Sequence, residues 1–540
     1  MSMKDKIGAK AVPYILLGAV FLLLVFLNVF FQMHWLDSDM AAEMMFSKLL
    51  AEEGHVFATP RWYYSTEFRF LYTQLIMGPL FHLTDNWHLI RAITNILFYL
   101  FLLGAYFYFM KPFGVRRHWT VLSSVLLLLP FSETMMTHMQ MGNTYMPHVI
   151  LIFLFFGMFL RLAGGKLKKG RKCEILFFYF ALGIICGVSG VRYLLALQCP
   201  LLLTAALFFG RSESFGAFRR EMTKERRRRM WKSREAGYLG YGALGAFAGV
   251  LGYGINVMYV SRQYVFQTYE ATNFIALYQG VFFERLQNAL GCLLMLFGYI
   301  PDKGFLSLRG LVTLAAFVIL AVLIYCVRRV YRLRGRAEAD DRFFTVLFLA
   351  AAFALNVFVF VFTTSTMVPR YYITLFIFTL PALVFYMEEK EPAFDRAAVA
   401  VLLGGCLLLA TAKTVFSFIG TDKNEDKYQV AAFLEENGYH FGFATYTNGN
   451  IITEITNGAV EIGNVNGPEY LEYFTWSSPM KYYEEDYHDG EVFLLLTLAE
   501  ETEFAEAESL RVGERVYGDE NYAVYVFESR QQLRDCAAVR

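Results

Sequence analysis

Charge is scarce in this chain. Of 540 residues, only 18% are Asp, Glu, Lys or Arg, while 56% are hydrophobic; ordinary soluble domains are about 25% charged and 45–50% apolar. That shortage excludes a simple soluble enzyme and any disordered or fibrous class. Cysteine is sparse too. The seven (Cys173, Cys186, Cys199, Cys292, Cys326, Cys406 and Cys536) form no CxxC spacing, and only Cys536 lies outside or away from the apolar runs. No disulfide framework or thiolate metal site follows from them. The C-terminal part lacks both the GxGxxG and the GxxxxGK[ST] phosphate-binding patterns, and no repeat of 20–50 residues is present. What the chain does have is 54 Phe and 34 Tyr, as apolar spans and their interfacial belts require.

The net charge of +1 conceals two opposed halves. Residues 420–540 carry 24 acids and 8 bases, close to −16, and the rest of the chain is close to +17. A basic membrane part and an acidic aqueous tail explain this split. The first apolar run, Val12–Phe31, follows Lys4, Lys6 and Lys10 and has no small-residue cleavage site after it. It reads as an uncleaved anchor with a cytoplasmic amino end. Ten more runs follow at about 87–110, 119–131, 146–162, 175–190, 193–210, 236–260, 309–327, 342–363, 370–387 and 396–418. The basic stretches Arg161–Lys172, Arg211–Arg234 and Arg328–Arg342 then belong inside by the positive-inside rule, as loops rather than as a nucleic-acid surface. Eleven spans put the tail outside. Residues 284–300, and similarly 69–83, read as re-entrant or interfacial helices. The tail is expected to be a small α/β domain, with a helix over 425–437 and strands near 439–446, 460–465, 491–498 and 522–528.

The informative polar residues follow the first span. Asp37-Ser38-Asp39 opens a segment in which Met40, Met44, Met45 and Leu49 recur at helical spacing up to Gly54, predicting an amphipathic helix in the membrane plane. One reading of the motif is a helix N-cap, where Asp and Ser accept orphan backbone N–H groups. The other is a carboxylate pair that takes a proton from an acceptor hydroxyl, or holds a divalent cation such as Mg or Mn against a phosphate. Glu67 is a third carboxylate in the same loop, and equally a surface charge. Residues 132–148 form a second polar segment whose His138 and Asn143 are candidates for sugar hydroxyls or a metal shell. Its two histidines, ten residues apart, have no zinc spacing. The tail segment 439–450 mixes aromatics and amides, as a sugar-binding surface or simply as a strand core.

A first span followed by Asp37-Ser38-Asp39, an in-plane helix, the loop Pro60–Arg69 and the segment Asp85–Asn95 resembles the GT-C class of glycosyltransferases. The likeness is to bacterial relatives of the protein O-mannosyltransferases and of the lipid A aminoarabinose transferase. The resemblance implies a polytopic α-helical fold over 1–419, with 34–86 as the first extracytoplasmic loop, and an extracytoplasmic α/β domain over 420–540. It implies a multi-pass cell-membrane enzyme that moves a sugar from a polyprenyl-phosphate donor to a glycan, lipid or protein acceptor of the envelope. Asp37 and Asp39 would be catalytic or would bind the cation. The leaving polyprenyl phosphate needs fixed positive charge, which Arg supplies. Candidates near outer span ends are Arg69, Arg192, Arg262, Arg285 and Arg370, with Tyr193 and Tyr371 beside them. Arg192, in the short turn Ser189–Tyr193, is the sharpest; interfacial anchoring is the competing reading for each. A transporter or flippase of a lipid-linked precursor, or a non-catalytic envelope scaffold, is the alternative. Few charges inside the spans and no inverted repeat favour the enzyme.

Overall fold

The computed structural model describes residues 3–142, 145–165, 167–211, 232–267, 272–277, 280–334, 341–389 and 392–537. Its main helices are α1 (Met3–Phe30), α2 (Ser38–Glu53), α3 (Gln74–Leu80), α4 (Trp87–Met110), α5 (Arg117–Leu128), α6 (Met146–Ala163), α7 (Lys169–Val188), α8 (Cys199–Gly210), α9 (Arg234–Ile255), α10 (Val281–Leu296), α11 (Leu308–Arg334), α12 (Asp341–Phe362), α13 (Ile373–Glu388), α14 (Ala393–Gly420), α15 (Glu425–Glu436) and α16 (Tyr446–Ile455). All eleven apolar runs expected from the sequence fall on helices. Among the described residues, eight helices are long and apolar enough to cross a membrane. The count reaches nine if α5 and residues 133–141, bent by 94° at a short break, are taken as one span. The other expected spans differ for local reasons. The first turns of α7 carry Lys169, Arg171, Lys172 and Glu174, and residues 194–210 form a shorter apolar helix. The helix α10, expected as an interfacial or re-entrant element, is not among the long apolar ones.

The chain divides into two compact units. The first comprises residues 1–25, 97–258 and 270–417 and is helical. Its tightest packing is between α7 and α9, where small residues let backbones meet. A Cβ on Gly187 would stand 2.1 Å from the Gly249 carbonyl oxygen, and one on Gly252 would stand 2.1 Å from that of Ile184. Two π-helical turns, at 136–141 and 194–198, interrupt the helices of this unit or end them.

The second unit comprises residues 26–96, 259–269 and 418–540. Its five-stranded sheet has the order β4-β3-β6-β8-β7, formed by β3 (Phe441–Ala444), β4 (Glu461–Asn464), β6 (Val492–Thr497), β7 (Glu514–Gly518) and β8 (Tyr522–Phe527). The strand β3 runs parallel to β4 and β6, whereas β6–β8 and β8–β7 are antiparallel. Val430 and Leu434 of α15 and Ile452 of α16 close its core over Ala444, Ile462, Phe493, Leu495 and Val524. A second sheet of three very short strands joins distant segments. In it β1 (Trp62–Tyr64) pairs parallel with β2 (Val265–Phe266) and antiparallel with β5 (Ser478–Pro479). The turn after α1 is tied to the start of the tail. The Asn424 amide donates to the carbonyls of Met33 and Leu36, both at 2.9 Å, and Trp35 stacks on Phe418 at 5.3 Å.

The helix α2 departs from the expected in-plane amphipathic helix. Beyond Met40, Met44, Met45 and Leu49, it also buries Ala41, Ala42, Glu43, Ser47 and Leu50. The physical reason is that α16 from the tail packs along it: Ile451 joins Leu36, Met40 and Ala41 in one apolar cluster. The tail also contains a strand, β7, that its charged sequence does not signal.

Candidate functional site

Within the second unit, a polar cluster forms around the first turns of α2. Asp37 is the N-cap: its backbone is extended and its Oδ1 accepts from the Met40 amide at 2.8 Å. The capping reading of the motif is therefore present, and it orients one carboxylate at the helix end. Asp39 and Glu43 follow on one helical stripe, four residues apart. The Tyr446 hydroxyl of α16 donates to Asp39 Oδ1 at 2.7 Å. Glu43, only 7% exposed, accepts from Arg69 Nη1 at 2.6 Å and from Thr73 Oγ1 at 3.2 Å. Arg91, in the first turn of α4, sends Nε and Nη2 to the two carboxylate oxygens of Glu454 at 2.7 and 2.6 Å. Its Nη2 also reaches the Met40 carbonyl at 2.8 Å.

The electrostatics of this cluster are set by burial. Desolvation pushes the Glu43 carboxyl up to about 7, with Asp39 adding to the effect and Arg69 and Arg91 opposing it. Burial works against the charge on Arg69, but Tyr72, Glu43, Glu67 and Asp39 more than offset it and hold the guanidinium above its ordinary value. Burial, together with the carboxylates of Asp39 and Asp37, pushes the Tyr446 phenol well up. It is a hydrogen-bond donor at neutral pH.

Among the described residues, no three His, Cys, Asp or Glu side chains converge to hold a metal ion. Asp37 and Asp39 each use Oδ1 as a protein acceptor; a magnesium ion held by one or two carboxylates completes its shell with water and substrate phosphate. No step below runs through a metal ion.

The first unit holds a second cluster. The Arg192 guanidinium lies over Tyr145 at 4.8 Å and over Tyr371 at 5.9 Å. The Arg370 guanidinium lies 6.0 Å from the Tyr371 ring centroid. Tyr193 OH and His148 Nδ1 are 2.5 Å apart, and the His138 ring meets Tyr145 edge-on at 5.8 Å. Two π-helical turns build this cluster, one carrying His138 and one beginning just after Tyr193. Such turns widen a helix locally and are frequent at functional sites.

The candidate residues thus divide. Asp37, Asp39 and Arg69 come together in one unit, with Glu67 adding to the field on Arg69. His138, Arg192, Tyr193, Arg370 and Tyr371 come together in the other. Arg262 stands exposed on the short helix Ser261–Gln263. Arg285 is spent on the backbone, donating to the carbonyls of Phe360 at 3.0 and 2.8 Å and Ser365 at 2.6 Å. Asn143 lies outside the described residues, as do 212–231 of the basic stretch. Sequence reasoning missed Glu43, Tyr446 and Glu454. Glu43 was recoverable, being one helical turn beyond Asp39; the tail residues carried no local signal.

Many apolar helices and a small C-terminal sheet give the chain the polytopic fold of the GT-C glycosyltransferases. Solved structures with this fold include those of ArnT from Cupriavidus metallidurans. The apo form aligns with a TM-score of 0.56 at 10% identity, over 98% of this chain and 99% of ArnT. The form bound to undecaprenyl phosphate aligns at 0.54 and 11%, over 98% and 100%. No family model matches the sequence, and no curated protein does. The chain is a multi-pass membrane protein with the ArnT fold.

Proposed function

We propose that this protein is a membrane glycosyltransferase that moves a sugar from a polyprenyl-phosphate donor to an envelope acceptor. The observation that carries the reading is the match to ArnT over essentially both whole chains, including a form bound to undecaprenyl phosphate. The two polar clusters supply the chemistry such a transfer needs. The acceptor hydroxyl oxygen attacks the anomeric carbon, and the bond from that carbon to the phosphate oxygen breaks. The electron pair leaves on the polyprenyl phosphate, and the hydroxyl proton passes to a carboxylate. Asp37 is the base or orienting group and Asp39 supports it. An ionised carboxylate offers about four acceptor sites, so the bond in the helix cap does not exhaust it. Arg192 and Arg370 hold the leaving phosphate, where a fixed guanidinium charge is worth most in a low-dielectric setting.

The charge pattern orients the chain in this proposal. The basic loops lie on the cytoplasmic side with the amino end, and residues 34–86 and 420–540 lie outside. Native mass spectrometry with undecaprenyl phosphate tests the lipid assignment. Wild type should retain the lipid, and Arg192→Ala and Arg370→Ala should lose it. No lipid preference in any form would remove the transferase reading and favour a scaffold or transporter.

A further inference from the structure

The tail residues nearest the acidic motif share one face of one helix. Tyr446, Asn450 and Glu454 are spaced i, i+4, i+8 on α16, so they form a single stripe along it. The first two meet the α2 start directly, and the third meets it through Arg91. Tyr446 OH donates to Asp39 Oδ1 at 2.7 Å, and Asn450 Nδ2 lies 3.4 Å from the Ser38 carbonyl. Glu454 clamps Arg91, whose Nη2 also binds the Met40 carbonyl at 2.8 Å. Ser38 and Asp39 are thus bonded directly from the tail, and Met40 through Arg91. Asn450 is fixed in turn by the Asn464 amide at 3.1 Å, and the Tyr446 ring packs edge-on to Phe474 at 5.4 Å.

We propose that Tyr446 is a positioning residue for the Asp39 carboxylate, so that the C-terminal segment completes the acidic site rather than serving as a separable docking module. The inference rests on the transferase reading for its functional meaning, but its contact stands on geometry alone. Only the hydroxyl is needed for the role. The ring is held by packing, and the bond to an anionic acceptor is of the short, charge-assisted kind that fixes a carboxylate rotamer. A misdirected carboxylate lowers turnover more than binding, because alignment with the acceptor matters at the transition state.

The test is Tyr446→Phe, which keeps the ring and removes the hydroxyl, alongside Asp39→Asn and the double variant. Release of undecaprenyl phosphate from synthetic undecaprenyl-phosphate hexoses, in vesicles of envelope lipid, is the activity readout. Tyr446→Phe should lower kcat about tenfold and leave KM for the donor within about twofold. Added to Asp39→Asn, it should cost less than about twofold more, since its effect passes through Asp39. Full activity in Tyr446→Phe, or independent multiplication of the two losses, overturns the positioning role. A second readout needs no turnover. Carbodiimide coupling of an amine to Asp39, read by mass spectrometry, should rise in Tyr446→Phe while exposed Glu435 stays constant. Unchanged labelling overturns the contact. A wild type that releases no lipid from any donor overturns the transferase reading instead, and the labelling still decides the contact.

Discussion

Glu454→Ala is the sharpest perturbation of the second unit. Arg91 is 1% exposed and Glu454 0% exposed, and the pair makes two short charge-assisted bonds. Removing the carboxylate leaves a buried guanidinium bonded to the Met40 carbonyl. Breaking a buried pair from one side costs about 3–5 kcal/mol, because the surviving charge is uncompensated. A unit of about 200 residues loses roughly 2–4 °C of melting temperature per kcal/mol, so the midpoint should fall by roughly 10 °C. Tryptophan fluorescence in detergent is a suitable assay, since four of the six tryptophans (Trp35, Trp62, Trp87 and Trp476) lie in this unit. Replacing both partners, as Arg91→Met with Glu454→Leu, should cost less than Glu454→Ala alone, since no charge is then stranded. A fall below about 2 °C for Glu454→Ala, or a double variant worse than the sum of both singles, would refute the reasoning.

Three further outcomes follow from particular contacts. Glu43 has its carboxyl pushed up to about 7 from an ordinary 4.5, so between those values the folded chain binds a proton that the unfolded chain has released. Stability should therefore fall as pH rises through that window, by up to about 3 kcal/mol, and Glu43→Gln should flatten the melting temperature over the same range. Asp37→Asn should keep the helix cap, because Asn caps as well as Asp, yet abolish transfer. Asp37→Ala should lose both, with about 1 kcal/mol of stability; transfer retained in Asp37→Asn would reduce Asp37 to a cap. Gly187→Ala puts a methyl group into the α9 backbone, and should lower the yield of folded protein in detergent chromatography. A normal elution profile would show that α7 and α9 pack differently.

The legible parts of the fold were those with local signals. Apolar runs long enough to span a bilayer announced their helices, and the Gly- and Asn-bounded apolar runs of the tail announced β3, β4, β6 and β8. The strand β7 was missed because Glu514-Arg515-Val516-Tyr517-Gly518 is a charged edge strand without alternation. The helix α16 was missed because Thr447, Asn448, Gly449 and Asn450 are poor helix formers, and tertiary packing overrides their preference. The same gap hid half the acidic site. Asp37 and Asp39 stood out by position, but their partner Tyr446 lies about 400 residues away, and nothing in residues 440–450 marks a helix turned towards α2. Among the arginines, outer placement alone did not separate Arg285, spent on carbonyls, from Arg192, stacked among tyrosines.

The three-stranded sheet has a consequence for biosynthesis. Its strands β1, β2 and β5 are drawn from around residues 63, 265 and 478, so the first loop is made long before its neighbours exist. At about 5–20 residues per second, roughly 20–80 seconds separate the synthesis of β1 from that of β5. Through that interval α2 lacks the apolar cover of Ile451, and Arg91 lacks the Glu454 carboxylate. A chain stalled before residue 440 carries the membrane helices described above while α2 still lacks its Ile451 contact. Arg91 meets its carboxylate and Asp39 its phenol only once residues 446–454 have been made.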